Sequence, residues 1–111
     1  MNLDERQNLI GNLLMTLSSR EEQILRWYFG IGSEKWSVDK IGENFDITQR
    51  SVRYIKNKGV RRMIYRVTKM DNPTYSELAS HIDKDLIDSC IKERGRLYDK
   101  FMNQLMDPSE G

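Results

Sequence analysis

Residues 37–63, SVDKIGENFDITQRSVRYIKNKGVRRM, decide how this 111-residue chain is interpreted. Their apolar residues recur at the spacing of two helices separated by a tight turn at Asp46 and Ile47. Gly42 stands where the two helices would have to touch. Beyond the turn, every charged residue as far as Lys69 is basic. This pattern predicts a helix-turn-helix, a unit that can lay its second helix in the major groove of DNA.

The charge of the chain is unevenly distributed, although its formal net charge is only +1. Residues 1–47 carry 5 basic and 8 acidic groups, a net charge of −3. Residues 48–70 carry 8 basic and no acidic groups, a net charge of +8, whereas residues 71–111 carry 5 basic and 9 acidic groups, a net charge of −4. A strongly basic segment between two acidic ones indicates a polyanionic partner for that segment alone.

The composition excludes several classes of protein. Apolar residues make up 38% of the chain and charged residues 32%, which is typical of a mostly helical protein with several exposed faces. No apolar run approaches the ~18 residues that a membrane span needs, and the N-terminal residues MNLDER lack the layout of a signal peptide. We therefore expect a cytoplasmic protein.

No residue pattern indicates catalysis or metal binding. Cys90 is the single cysteine, so it can form neither an intrachain disulfide nor a metal site with a second thiol. His81 has no partner at the spacing of metal ligands. The carboxylates of Asp83, Asp85 and Asp88 lie near the expected start of a helix, where negative charges are stabilised by the helix dipole. We expect a buried thiol, no metal, no cofactor and no enzymatic activity.

Helical patterns also precede the basic segment. Apolar residues between Leu3 and Leu17 recur three and four residues apart, which predicts an amphipathic helix. Ser18 and Glu21 have the spacing of a capping box, in which the serine oxygen accepts an amide proton and the glutamate reaches back. A second helix is therefore expected at about residues 19–29.

The C-terminal part of the chain forms a further segment. Pro73 ends the preceding helix, because proline lacks an amide proton and restricts the residue before it. From about residue 76 to Leu105, apolar residues follow at helical spacing, and this stripe can fold back onto the bundle, pair with a second copy or dock on another protein. We predict an all-α fold, a small helical bundle containing a helix-turn-helix over residues 1–70, followed by an acidic amphipathic helical extension over residues 71–111.

With the first helices included, the sequence resembles region 4 of sigma-70-type bacterial transcription initiation factors. The resemblance is carried by LSSREEQILRWYFGIG at residues 17–32 and by WSVDKIGENFDITQRSVRYIKNKGVRRM at residues 36–63. It covers roughly residues 13–66 with almost no gap. It implies a transcription factor that recognises an upstream promoter element and docks on the flap of the RNA polymerase β subunit in a bacterial or phage-infected cell.

The resemblance implies base contacts from the residues just after the turn, which here are Gln49, Arg50, Arg53 and Tyr54. Glutamine can pair with adenine, arginine with guanine, and tyrosine can offer an aromatic edge to a thymine methyl group. Members of the family commonly have arginine and glutamate at the first two of these positions and glutamine at the last. The resemblance therefore implies a target other than the housekeeping upstream element.

Contacts with the DNA backbone are implied at the helix starts and along the basic helix. Arg20 and Ser37 match positions that contact phosphate in the family, and the positive end of a helix dipole supports the second. Tyr28 stands where arginine is frequent, which weakens one such contact. The other expected backbone residues are Thr48, Lys56, Lys58, Arg61 and Arg62.

The resemblance also implies protein partners. The β flap would bind an apolar groove on the first two helices, lined by Leu13, Leu17, Ile24, Leu25 and Phe29. The chain has no counterpart of the sigma segments that melt DNA, so a separate sigma or melting subunit is expected beside it. Phage and mobile-element regulators and split two-subunit sigma factors are similar in this respect.

Two alternative functions remain open at this point. Output domains of two-component activators begin with a similar leucine and REE helix, so the chain can also be a helix-turn-helix regulator that acts as a dimer. A protein that binds polymerase or a sigma factor and does not read DNA is the other alternative.

Overall fold

A computed structural model of the protein describes residues 2–69, 73–93 and 95–106. Within these ranges the chain forms seven α-helices and no strand, which confirms the predicted all-α fold. The helices are α1 (Leu3–Leu14), α2 (Ser19–Phe29), α3 (Val38–Phe45), α4 (Gln49–Lys69), α5 (Pro73–Ser80), α6 (Lys84–Glu93) and α7 (Tyr98–Met106). None of these helices is long and apolar enough to cross a lipid bilayer.

The start of α2 is fixed by the predicted capping box. The Ser18 hydroxyl accepts the Glu21 amide proton at 3.2 Å, and the Glu21 carboxylate accepts the Ser18 amide proton at 3.2 Å. Helix α2 ends at Gly30, whose φ of 71° lies in the left-handed region that favours glycine. These caps depend on neighbouring residues only, so α2 occupies the range that the sequence predicts.

Helices α3 and α4 form the helix-turn-helix. Ser37 caps α3 by accepting the Lys40 amide proton at 3.1 Å, and Thr48 caps α4 by accepting the Ser51 amide proton at 3.0 Å. Between them, Asp46 reverses the chain with a φ of 55°. A Cβ atom added at Gly42 would lie 2.8 Å from the Ile47 carbonyl oxygen, so the turn can pack against α3 only because this side chain is absent.

Helix α4 is the central element of the molecule. Its 21 residues give it a length of about 31 Å, and it contacts α1, α2, α3, α5 and α7. A small apolar cluster, Ile24, Ile41 and Val52, joins α2 and α3 to its first half. The larger apolar cluster joins its second half to α1, α2 and the C-terminal helices. Both halves of α4 are therefore packed against other helices, which positions its N-terminal end.

The C-terminal extension folds back onto the bundle, the first of the three arrangements that the sequence allows. Its contribution to the larger apolar cluster includes Tyr98, Phe101, Met102 and Leu105 of α7, all of which are buried. The Arg6 guanidinium of α1 donates a hydrogen bond of 2.9 Å to the Leu105 carbonyl oxygen, so α7 is tied to the start of the chain.

The extension differs from the predicted single stripe in being divided into three short helices. Pro73 is the first residue of α5, a position that suits proline because the amide proton it lacks has no partner there. The helix therefore begins earlier than the sequence indicated. A turn at residues 81–83 separates α5 from α6, and Gly95, with a φ of 59°, precedes α7.

Candidate nucleic-acid interface

The four residues expected to read bases lie together on the first two turns of α4. Gln49, Arg50 and Arg53 are exposed, and the Tyr54 side chain is 66% exposed. Residues at these positions share one side of a helix, because three or four residues complete about one turn. The Gln49 amide also donates a hydrogen bond to the Asp39 carboxylate of α3, which orients it across the turn.

Two exposed cations and a helix start lie on the neighbouring helices α2 and α3. Ser37 and Arg20 are exposed, and the Arg20 guanidinium lies 5.8 Å from the centre of the Phe45 ring. The Lys40 ammonium lies 4.0 Å from the centre of the Trp36 ring, beside the start of α3. Sequence reasoning did not select Lys40. Its position four residues after a tryptophan is the signal that could have found it, since a helix start places such residues side by side.

Lys56 corrects the sequence interpretation. It was expected to contact the DNA backbone, but it is only 6% exposed and its ammonium donates a hydrogen bond of 2.9 Å to the Asp99 carboxylate of α7. The same ammonium lies 4.8 Å from the centre of the Tyr28 ring. Lys56 faces α2 and α7 because it follows Val52 by four residues on the buried side of α4. In this arrangement it cannot reach a phosphate group.

Tyr28 contacts both Lys56 and Asp99. Its hydroxyl donates a hydrogen bond of 3.0 Å to the second carboxylate oxygen of Asp99. Burial, the hydrogen bond and the charge of Asp99 raise the pKa of Tyr28 to about 12, and the positive charge of Arg53 acts in the opposite direction. The hydroxyl is therefore a neutral donor that is already engaged by Asp99.

The basic residues further along α4 separate into two kinds. Lys58 and Arg61 are exposed. The Arg62 guanidinium instead forms an ion pair of 2.9 Å with Glu21, whose side chain is only 6% exposed, although Arg62 itself is 45% exposed. Arg62 thus links α4 to the capping box of α2. Among the described side chains of α4, the exposed cations without an ion pair described above are Arg50, Arg53, Lys58 and Arg61. These four are the cations available to DNA.

The family model described as Sigma-70, region 4 matches residues 13–63, from the end of α1 to the middle of α4. Residues 13–63 form a sigma-70 region 4 helix-turn-helix. No solved structure matches the chain.

The region 4 match indicates the general role of the chain. The family is one of DNA-binding regulatory domains and not of catalysts, so the chain has a DNA-binding role in transcription. The described residues also contain no group of three or more histidines, cysteines, aspartates or glutamates that could hold a metal ion. Cys90 is buried. Burial raises the pKa of its thiol, and the negative charge of Glu93 raises it further by a smaller amount.

The expected apolar groove of region 4 is not open in this structure, which is a second correction. Of its five residues, Leu13, Ile24 and Leu25 are 0% exposed, and Leu17 and Phe29 are 8% exposed. They belong to the two apolar clusters that α3, α4 and the C-terminal helices cover. The sequence shows that these positions are apolar, but it cannot show whether the chain itself or a partner covers them.

Proposed function

We propose that this chain is a sigma-region-4-like transcription factor that binds an upstream promoter element in duplex DNA. The observation that carries the proposal is the exposed group of Arg50, Arg53 and Tyr54 on the first two turns of α4, directly after the turn of a region 4 helix-turn-helix. This is the part of a recognition helix that enters the major groove.

The chemistry of the group favours base reading. An arginine can donate two parallel hydrogen bonds to guanine, which is worth about 1–3 kcal/mol of discrimination against a wrong base. Gln49 can present its amide to adenine if it exchanges the Asp39 carboxylate for the base. The absence of acidic residues from residues 48–70 leaves nothing on α4 itself to repel the phosphate backbone.

Around the base-reading group, we propose a ring of backbone contacts from Arg20, Ser37, Thr48, Lys58 and Arg61. Ser37 and Thr48 cap the starts of α3 and α4, where free amide protons and the helix dipole attract an anion. Arg20, Lys58 and Arg61 are exposed cations that can track the phosphates. Arg62 makes a weaker contribution to phosphate binding, because its guanidinium is already paired with Glu21.

The RNA polymerase β subunit and a separate sigma or melting subunit are proposed as protein partners in a bacterial or phage-infected cell. Docking of the β flap on the apolar face of α1 and α2 would require the covering helices to move, because Leu13 and Leu25 have no exposed surface. The proposed DNA contacts are therefore exposed in the described structure. The proposed polymerase contacts are buried and would become accessible only if the covering helices moved.

Gel shifts with a duplex selected from a randomised pool test the proposal. We expect Arg50→Ala and Arg53→Ala each to weaken binding by about 5- to 150-fold, the equivalent of ~1–3 kcal/mol. Lys84→Ala, a charge removed from the start of α6, is the matched control and should change the affinity less than about twofold. Wild-type affinity in both arginine variants would overturn the proposal.

Binding to purified core polymerase separates the remaining alternatives. Retention of polymerase by the wild type together with duplex binding supports a region 4 function. A stable dimer that binds duplex but not polymerase would instead favour the two-component output type of regulator. Retention of polymerase with no duplex binding would favour a modulator that does not read DNA.

A further inference from the structure

We infer that Asp99 of α7 restrains DNA binding by presenting a negative charge beside the DNA-reading surface. This inference rests on the proposed function. It concerns the C-terminal extension, which lies outside residues 13–63 that match region 4.

The ion pair between α4 and α7 has an outer and an inner member. Asp99 accepts hydrogen bonds from the Lys56 ammonium at 2.9 Å and from the Tyr28 hydroxyl at 3.0 Å. The side chain of Asp99 is 49% exposed, whereas that of Lys56 is 7% exposed. A polyanion that approaches this surface therefore meets the carboxylate before it meets the ammonium that compensates it.

The position of Asp99 places this charge at the edge of the proposed interface. Asp99 and Asn103 of α7 line a cavity of about 250 Å³ together with Lys35, Trp36 and Ser37. Ser37 caps the start of α3 and is one of the proposed phosphate contacts. The positive charge of Arg53, one of the proposed base readers, acts to lower the pKa of Tyr28, whose hydroxyl donates a hydrogen bond to Asp99.

Electrostatics give the direction of the effect. A carboxylate within a Debye length of the DNA backbone, about 10 Å at 0.1 M salt, repels several phosphate groups at once. The buried Lys56 offsets this repulsion only in part, because its charge is shielded behind Asp99. Removal of the carboxylate should therefore strengthen binding, and added salt should reduce the gain.

The variant Asp99→Asn tests the inference, because an amide oxygen can still accept a hydrogen bond from Lys56 or Tyr28. We expect duplex binding to tighten about three- to tenfold at about 50 mM salt and much less at about 300 mM salt. The control is Asp88→Asn on α6, an exposed acid that removes the same formal charge elsewhere, and it should change the affinity less than about twofold.

A double variant controls for loss of stability in the single variant. Asp99→Asn can destabilise the protein by leaving Lys56 buried without its counter-charge, so Lys56→Gln/Asp99→Asn is measured as well, with far-UV circular dichroism as a folding check. The double variant keeps the net charge of the wild type. It should still bind duplex more tightly than the wild type, because the outer carboxylate is gone.

The outcomes separate the inference from the function on which it rests. If both Asp99 variants bind with wild-type or lower affinity, while Arg50→Ala still weakens binding, the inference is overturned and the proposed function stands. An equal gain in Asp88→Asn and Asp99→Asn also overturns it, since a general charge effect would then explain the result. If neither the wild type nor any variant binds duplex, both fall.

Discussion

At the scale of single residues, one missing side chain sets the geometry of the helix-turn-helix. Gly42 lies in α3, and a Cβ atom there would come within 2.8 Å of the backbone oxygen of Ile47. A backbone oxygen cannot turn aside as a flexible side chain can. Gly11 in α1 offers the opposite case, since apart from the adjacent residues and backbone of its own helix no described atom lies within 4 Å of the position of its Cβ atom.

The two glycines give opposite predictions. Gly42→Ala should lower the free energy of unfolding by about 1–3 kcal/mol, because the added methyl group forces the turn away from α3. Gly11→Ala should raise it by up to about 1 kcal/mol, because alanine is the better helix former and the space is open. Urea denaturation followed by far-UV circular dichroism measures both. A stable Gly42→Ala variant would show that the turn approaches α3 less closely than described.

Lys56 shows what residue-level reasoning from sequence cannot supply. Its charge and its place in a basic helix predict a DNA contact, and both features are correctly read from the sequence. Its partners, Asp99 and Tyr28, come from helices that are distant in the chain. The sequence contains no local signal for such an ion pair, so the assignment failed where a tertiary contact decides it.

At the scale of elements, the predictions succeeded where the determining interactions are local. The ranges of α2 and α3 follow from Ser18, Glu21 and Ser37, whose side chains bond to amides three residues away. The extension was less predictable. Its apolar spacing indicated helices, but the division into α5, α6 and α7 depends on how each short helix packs on the bundle.

The packing of α7 predicts that the extension is part of the stable fold. Phe101 is 0% exposed within the larger apolar cluster, so Phe101→Ala should lower the free energy of unfolding by about 3–5 kcal/mol. Ile91 of α6 is 50% exposed, and Ile91→Ala should cost less than about 1 kcal/mol. Thermal unfolding measured by circular dichroism compares the two. A negligible effect of Phe101→Ala would mean that α7 is only loosely attached.

At the scale of the whole molecule, the structure divides the basic segment into residues that are exposed and residues that pair with acids of other helices. Lys56 and Arg62 join α4 to α7 and α2 by ion pairs. Arg50 and Arg53 remain exposed at the N-terminal end of α4. The ion pair with Asp99 thus ties the acidic extension to the central helix and leaves less basic charge for the proposed contact with DNA.

Two exposed tyrosines on α4 allow the central claim to be tested by position. Tyr54 is 66% exposed beside the proposed base readers, and Tyr65 is 62% exposed on nearly the same side of the helix. Eleven residues separate them, which is about 16 Å along the helix axis. Because the major groove is only about 8.5 Å deep, a helix that enters it by its N-terminal turns leaves Tyr65 outside.

The decisive measurement replaces each tyrosine in turn with the photo-crosslinking residue p-benzoyl-L-phenylalanine and irradiates the complex with duplex DNA. We expect the variant at Tyr54 to cross-link to a base within the bound element and the variant at Tyr65 to give little or no cross-linking. Equal cross-linking from both positions, or cross-linking from Tyr65 alone, would contradict insertion of the start of α4 into the major groove.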